Sequence, residues 1–328
     1  MVGDEYVVHH TFWTGECPVT MTRLIACIAF VSLALVGCDS DTADGPGPGS
    51  MSGSSDSSAI NTDALTLATC QQSYGEGVPA FFSEYFACVD VTSAGEGTTI
   101  MTDGLPPHAS PYYSAGDANY VAWDDRGGSH SKNPNELSAI NFSMTVPANP
   151  VAKGITIDAS MVDNTMNTSD DEYSGGPVGV ALNGVVIFAA MAEPGDDLAD
   201  EAFTFDLYEG HPAGTTYHYH FETPGPLEVL VDRGLSDNAE PGAGGLEIYG
   251  FMCDGTLVLG CTELDGSIPD DSDFDAQNGH VHDITDGTTT YFASRYHTHV
   301  CPERWPGYPF FPEIAYYETT ACPRPGQN

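Results

Sequence analysis

Residues 210–222 read GHPAGTTYHYHFE, and the fold turns on how Tyr217-His218-Tyr219-His220 is taken. As a β-strand, the four side chains alternate between faces, so His218 and His220 share one face and the two tyrosines the other. Gly210, Pro212 and Gly214 mark a turn feeding that strand, with His211 in the turn. Two imidazoles one residue apart on a strand can reach a single metal ion. The plain alternative is a strand with its aromatic residues inward and its imidazoles in water. The same spacing returns at His280-Val281-His282 and at His297-Thr298-His299. Of the 11 histidines, those six fall in His-x-His pairs, which favours metal binding, since clustered imidazole is what zinc and copper sites require.

Working outward, the chain keeps the period of strands. Candidates are Ile140–Val146, Gly154–Met161, Val178–Ala190, Tyr217–Glu222, Leu227–Val231, Leu246–Met252, Thr289–Tyr296 and Ile314–Thr319, many rich in Val, Ile, Tyr, Phe and Thr and separated by Gly, Pro, Asn and Asp. Helix is arguable only near Leu65–Gln72, Phe81–Cys88 and Asp196–Phe203. No Gly-rich phosphate loop, βαβ rhythm or repeat of solenoid length is visible. The expectation is an all-β fold, an antiparallel β-sandwich or barrel-like domain with long loops, over residues 66–328.

The chain has 328 residues, with 8 basic and 47 acidic side chains and a net charge of -39. That field repels nucleic acid and anionic lipid headgroups, so neither is expected as a partner. With 41% hydrophobic residues the composition is that of a folded protein with an acidic surface. Residues 21–37 and Cys38 resemble a bacterial lipoprotein signal peptide. Arg23 supplies the positive region, Leu24 to Val36 the apolar run and Leu35-Val36-Gly37-Cys38 the lipobox. The resemblance implies cleavage before Cys38, a lipid on its thiol, and a membrane-anchored protein of the bacterial cell envelope. Residues 1–20, with Asp4, Glu5 and Glu16, do not suit a leader, and Met21 is the expected start. Residues 38–65 read as the lipidated Cys followed by a flexible Gly/Ser/Asp tether.

Six cysteines remain in the mature domain: Cys70, Cys88, Cys253, Cys261, Cys301 and Cys322. In an oxidising envelope they are expected as disulfides. Six thiols leave the connectivity open. Sequential pairing closes the shortest loops and suggests 70–88, 253–261 and 301–322.

DGLPPHASPYY (103–113), NPNELSAINFSMTVP (133–147), GVALNGVVIF (179–188), FDLYEGHP (205–212), GFMCDG (250–255) and DFDAQNGH (273–280) resemble, in order, successive blocks of the family named after its YHYH motif. The likeness runs from about residue 100 to the C-terminus. It departs at Tyr208-Glu209 and Ala276-Gln277, where members often carry cysteine. The resemblance implies a domain type and no settled activity. It adds weight to His108 and His211, which lie in these blocks.

The candidate ligands are therefore His218 and His220, with His211, His108 and His280, and then His282, His297 and His299. Copper or zinc suits such a set, since no methionine or free thiol adjoins the pairs. Asp270, Asp271, Asp273 and Asp275 could form a calcium loop, but Ala276 stands where an EF-hand needs glycine and no closing Glu follows, so a solvated acidic loop fits better. Asp275 or Asp283 could instead orient a ligating imidazole. No Gly-x-Ser-x-Gly elbow or free cysteine offers a covalent nucleophile. Three function classes stay open: an envelope metal-binding module, a metal-dependent oxidoreductase or hydrolase with an open coordination position, and a purely structural surface protein.

Overall fold

In the computed structural model the described residues are 63–164, 170–192 and 198–318. The expected leader, Cys38 with its expected lipid, and most of the tether lie outside them, as do Cys322 and Thr319. Among the described residues no helix is long and apolar enough to cross a membrane.

The first sheet is small. Strand β1 (Ser73–Tyr74) precedes helix α1 (Ala80–Tyr85), and β2 (Asp90–Ala94), β3 (Gly97–Thr102) and β4 (Phe142–Pro147) follow, in the order β1-β2-β3-β4. Alternation decides β4, where Phe142, Met144 and Val146 are buried and the residues between them are not. Helix α1 is one turn and a half without a side-chain cap. Its place is fixed by packing: Phe81 and Phe82 lie against Phe251 at ring-centroid distances of 5.5 and 5.6 Å.

The second sheet carries the histidines. It consists of β5 (Pro177–Ala181), β6 (Val186–Phe188), β7 (Gly210–Ala213), β8 (Thr216–Tyr219), β9 (Ile248–Met252), β10 (Leu257–Leu259), β11 (Gly279–Thr285) and β12 (Thr290–His299). Their spatial order is β11-β12-β10-β9-β5-β6-β8-β7. Helix α2 (Leu198–Glu201) precedes β7, and α3 (Pro224–Asp232) follows β8. One core cluster joins the two sheets, running from Val91, Ile100 and Met144 to Val180, Ile187, Phe251 and Val258, all buried. Thr102 Oγ1 donates to the Gly184 carbonyl across the join, at 2.6 Å.

The β-rich expectation holds, though neither sheet closes into a barrel. The sheets are mixed rather than antiparallel throughout, because β1–β2, β6–β8 and β10–β12 pair parallel. Leu227–Val231 is helix, not strand. Thr223 caps it by accepting from Gly225 N, and Pro224 sits in the first turn, a start signal that overrides the strand preference of Val229 and Val231. Gly154–Met161 contains no strand, and 314–318 offers only isolated bridges, with Ile314 to Glu172 and Tyr317 to Ala152.

The disulfides are corrected in part. Cys70 pairs with Cys88 as expected, but Cys261 pairs with Cys301, excluding both 253–261 and 301–322. Cys253 is also disulfide-bonded. Sheet order explains the exchange: parallel pairing of β10 with β12 sends both strands out at the same end, so the cysteines beyond them meet. Loop length along the sequence is blind to that.

Candidate metal centres

Three histidines meet at the edge formed by β7 and β8. His211 on β7 is paired across the ladder with His218 on β8, and His220 lies two residues further on the same face. The Nε2 atoms converge, His218 to His211 at 3.1 Å and His218 to His220 at 2.9 Å. The opposite nitrogens face fixed partners. His218 Nδ1 is 3.0 Å from the Thr216 carbonyl, and His220 Nδ1 is 2.8 Å from the Ala189 carbonyl. His211 Nδ1 is 2.6 Å from Thr204 Oγ1, whose own proton goes to the Glu201 carbonyl at 2.8 Å.

A carbonyl can only accept, so Nδ1 of His218 and His220 must donate. Thr204 has committed its proton, so Nδ1 of His211 donates as well. In the neutral rings every Nε2 then carries a lone pair, and three lone pairs face one another near van der Waals contact. A cation between them removes that repulsion. Ligands on a tetrahedral ion at about 2.0–2.1 Å stand about 3.3 Å apart, close to the spacing found here. Burial holds the rings neutral: it lowers His211 to about 3 and His220 to about 4, and His218 well below the usual imidazole range. Glu201 approaches from α2, with Oε2 3.6 Å from His220 Nε2 and 3.8 Å from His211 Nε2. A cleft of about 870 Å³ opens onto the group, lined also by Asn133, Asn135, Ser174, Phe188 and Met191.

The tyrosine face is structural. Tyr217 and Tyr219 are buried, and Tyr217 Oη donates to Asp206 at 2.9 Å. Gly210 is required beneath it, since a Cβ there would lie 2.6 Å from Tyr217 Oη.

A second group forms at the opposite edge. His280 on β11 faces His297 on β12, with His299 two residues on. His280 Nε2 lies 2.8 Å from His297 Nε2 and 3.2 Å from His299 Nε2. Here a carboxylate is in contact: Glu263 Oε1 is 3.0 Å from His280 Nε2, and Oε2 is 3.0 Å from His297 Nε2. His297 Nδ1 donates to the Arg295 carbonyl and His299 Nδ1 to the Gly260 carbonyl, whereas His280 Nδ1 is buried without a hydrogen-bond partner. Burial pushes the Glu263 carboxyl up, but its contacts with the three imidazoles outweigh this and hold the group well below the carboxylate range.

His211, His218 and His220 thus come together, and so do His280, His297 and His299. Two candidates stand outside both groups. His108 stacks on Tyr208 with ring centroids 3.5 Å apart and reaches Tyr219 Oη with Nε2 at 3.0 Å. His282 is half-exposed, its Nε2 3.8 Å from Asp273. Asp270, Asp271, Asp273 and Asp275, weighed as a calcium loop, do not form a ligand group. Asp270 caps a short 3-10 turn by accepting from Ser272 N, whereas Asp275 points inward and accepts from Gln277 N, Gly279 N and Tyr296 Oη. Asp283 accepts from Ser294 N and orients no imidazole. Sequence reasoning missed Glu263 and Glu201. Nothing local marks either among 47 acidic residues.

No family model, curated protein or solved structure matches the chain.

Proposed function

We propose that this protein is a metal-dependent enzyme of the bacterial cell envelope, anchored through Cys38 as its leader implies, which uses a zinc or copper ion at His211, His218 and His220 to hydrolyse an uncharged substrate. The observation that carries this reading is three buried imidazole Nε2 atoms converging at the wall of an 870 Å³ cleft, with the Glu201 carboxylate 3.6 Å from the nearest. A metal held by three imidazoles keeps a position for water and lowers that water's pKa toward neutrality. Glu201 is placed to take the proton released, and the three Nδ1 hydrogen bonds keep the rings aimed inward.

The cleft selects against charge of one sign. None of its described lining residues is Lys or Arg, and the chain's net charge is -39, so apart from the ion itself an anionic substrate finds no cationic side chain there and meets a repulsive field. Asn133 and Asn135 both donate to the Pro212 carbonyl at 3.1 Å, and Asn133 Oδ1 accepts from Asn135 N at 3.0 Å, so the Asn135 amide oxygen remains at the cleft wall for a neutral polar group. The disulfides fit an oxidising compartment, in keeping with the leader. The YHYH resemblance supports a domain in which this strand is the centre, and it specifies no reaction.

The test is metal analysis of protein purified from its own envelope, followed by a panel of neutral esters and amides assayed against Glu201→Gln. Hydrolysis by the loaded wild type, with an approximately 10²-fold or greater fall in rate at unchanged metal content in the variant, is expected. Metal-loaded wild type that hydrolyses no member, or a variant of equal rate, would reject the assignment.

A further inference from the structure

The two histidine groups sit in two copies of one unit. Strands β5-β6-β8-β7 pair antiparallel, parallel and antiparallel in that order, and β9-β10-β12-β11 repeat the series. The copies join through antiparallel β5–β9 at the middle of the sheet. Each begins with a hairpin turning on a glycine of positive φ, Asn183-Gly184 in one and Asp254-Gly255 in the other. Each then runs Phe-Asp-x-x-x-Gly-His, from Phe205 to His211 and from Phe274 to His280, and closes on Tyr-His-x-His at 217–220 and 296–299.

The hydrogen bonds repeat with the residues. Asp206 N and Asp275 N each donate, at 2.9 Å, to the carbonyl of the glycine four residues on. Tyr217 Oη donates to Asp206 as Tyr296 Oη does to Asp275. Glu209 and Asn278 both take a left-handed φ, 53° and 56°, before their glycines. The last histidine of each copy hangs from equivalent backbone, His220 on the Ala189 carbonyl and His299 on the Gly260 carbonyl. Phe205 stacks on His220 and meets His211 edge-on, and Phe274 does the same with His299 and His280.

The copies differ in how the shell is completed. Counted from the turn glycines, Glu263 falls where the first copy has Ala192, a buried apolar residue. Glu263 reaches all three imidazoles of its copy, the longest approach being 3.5 Å to His299. The Cys261–Cys301 bridge ties the strand ends beside it, two residues before Glu263 and two after His299. No residue of this copy's histidine set lines the cleft that reaches the other.

We propose that the chain holds a second metal ion, bound by His280, His297, His299 and Glu263, whose role is structural. Four protein ligands close a tetrahedral shell and leave no position for substrate, which is the pattern of structural zinc sites. The same scaffold therefore carries one exchangeable ion at the open set and one retained ion at the closed set. The retained ion pins β11 and β12 to the segment after β10, at an edge of the large sheet.

The test uses the full chain loaded with zinc and, separately, with cobalt(II) as a spectroscopic probe. Two ions per chain are expected, one removed by chelator at least about tenfold faster than the other. His218→Ala with His220→Ala should leave one ion, the slow one, with the intense visible absorption of four-coordinate cobalt. Glu263→Gln should speed loss of the slow ion by about 10–100-fold and leave the fast one unchanged. A single ion per chain that disappears with His218 and His220, or a slow ion indifferent to Glu263→Gln, would overturn the proposal. Should Glu263→Gln fail to fold, the metal count of the His218/His220 double variant decides alone. That count reads the second centre whatever becomes of hydrolysis at the first.

Discussion

His218 Nε2 lies 2.9 Å from His220 Nε2, and each ring has committed its other nitrogen to a backbone carbonyl. Both nitrogens facing each other are acceptors, so the contact is repulsive without a cation. His218→Ala with His220→Ala should therefore abolish binding at this centre, because one remaining imidazole is no competitive site. The stability of the metal-free protein should fall little or even rise. Titration calorimetry read beside circular dichroism checks it, and unchanged affinity would remove β8 from the centre.

Thr204 holds His211 from behind. Thr204→Val keeps the shape and removes the acceptor for Nδ1, freeing the ring to rotate or change tautomer. Metal affinity at the open centre should weaken by about 10–100-fold, the usual effect of losing a hydrogen bond behind a ligand. Competition with a chromophoric chelator measures it, and Thr204→Ser should restore most of the loss.

His108 gives a pH signature separate from the ligands. Burial lowers its pKa from 6.5 to about 3, so the unfolded chain binds a proton that the folded chain does not. Stability from this residue is complete above the unfolded value and is lost as pH falls from there toward the folded one. The slope is at most about 1.4 kcal/mol per pH unit, or about 2 kcal/mol between pH 6.5 and 5. Urea unfolding of metal-free wild type and His108→Gln across that range should show a steeper decline for the wild type. Parallel lines would contradict the burial argument.

Non-reducing peptide mapping should recover links between Cys70 and Cys88 and between Cys261 and Cys301. Replacing Cys261 and Cys301 together by Ser should cost about 2–5 kcal/mol. A peptide linking Cys253 to Cys261 would contradict the strand order described for the large sheet.

Gly279 should tolerate no side chain, since a Cβ there would lie 1.9 Å from Tyr296 Oη. Gly279→Ala is expected to destabilise the protein by about 1–3 kcal/mol, as overpacking does. Thermal unfolding measures it, and a melting temperature within a degree of wild type would show that Tyr296 moves freely.

The sequence by itself determined the β-rich class and the pairing of histidines on one face of a strand, and it carries the expectation of an exported, disulfide-bonded chain. Each follows from chemistry written in neighbouring residues: a period of two, an apolar run before a cysteine, an imidazole at every second position. Even the second copy's Asn278-Gly279-His280 and Tyr296-His297-Thr298-His299 stand in plain letters. Leu227–Val231 misled because its alternating Val229 and Val231 spoke louder than Thr223-Pro224 before it.

Only the tertiary structure decided which histidines meet. His211 joins His218 because β7 and β8 pair in that register, while His108, in an equally suggestive block, stacks on Tyr208 instead. Glu263 reaches His297 from 34 residues away, and Cys261 meets Cys301 across a separation of 40, because β10 and β12 run parallel. Alternation along a strand fixes the face a side chain takes, but strand order and register are set by the burial of the whole sheet, to which every strand contributes at once. The same burial brings Glu263 against one histidine set and leaves the other open to a cleft.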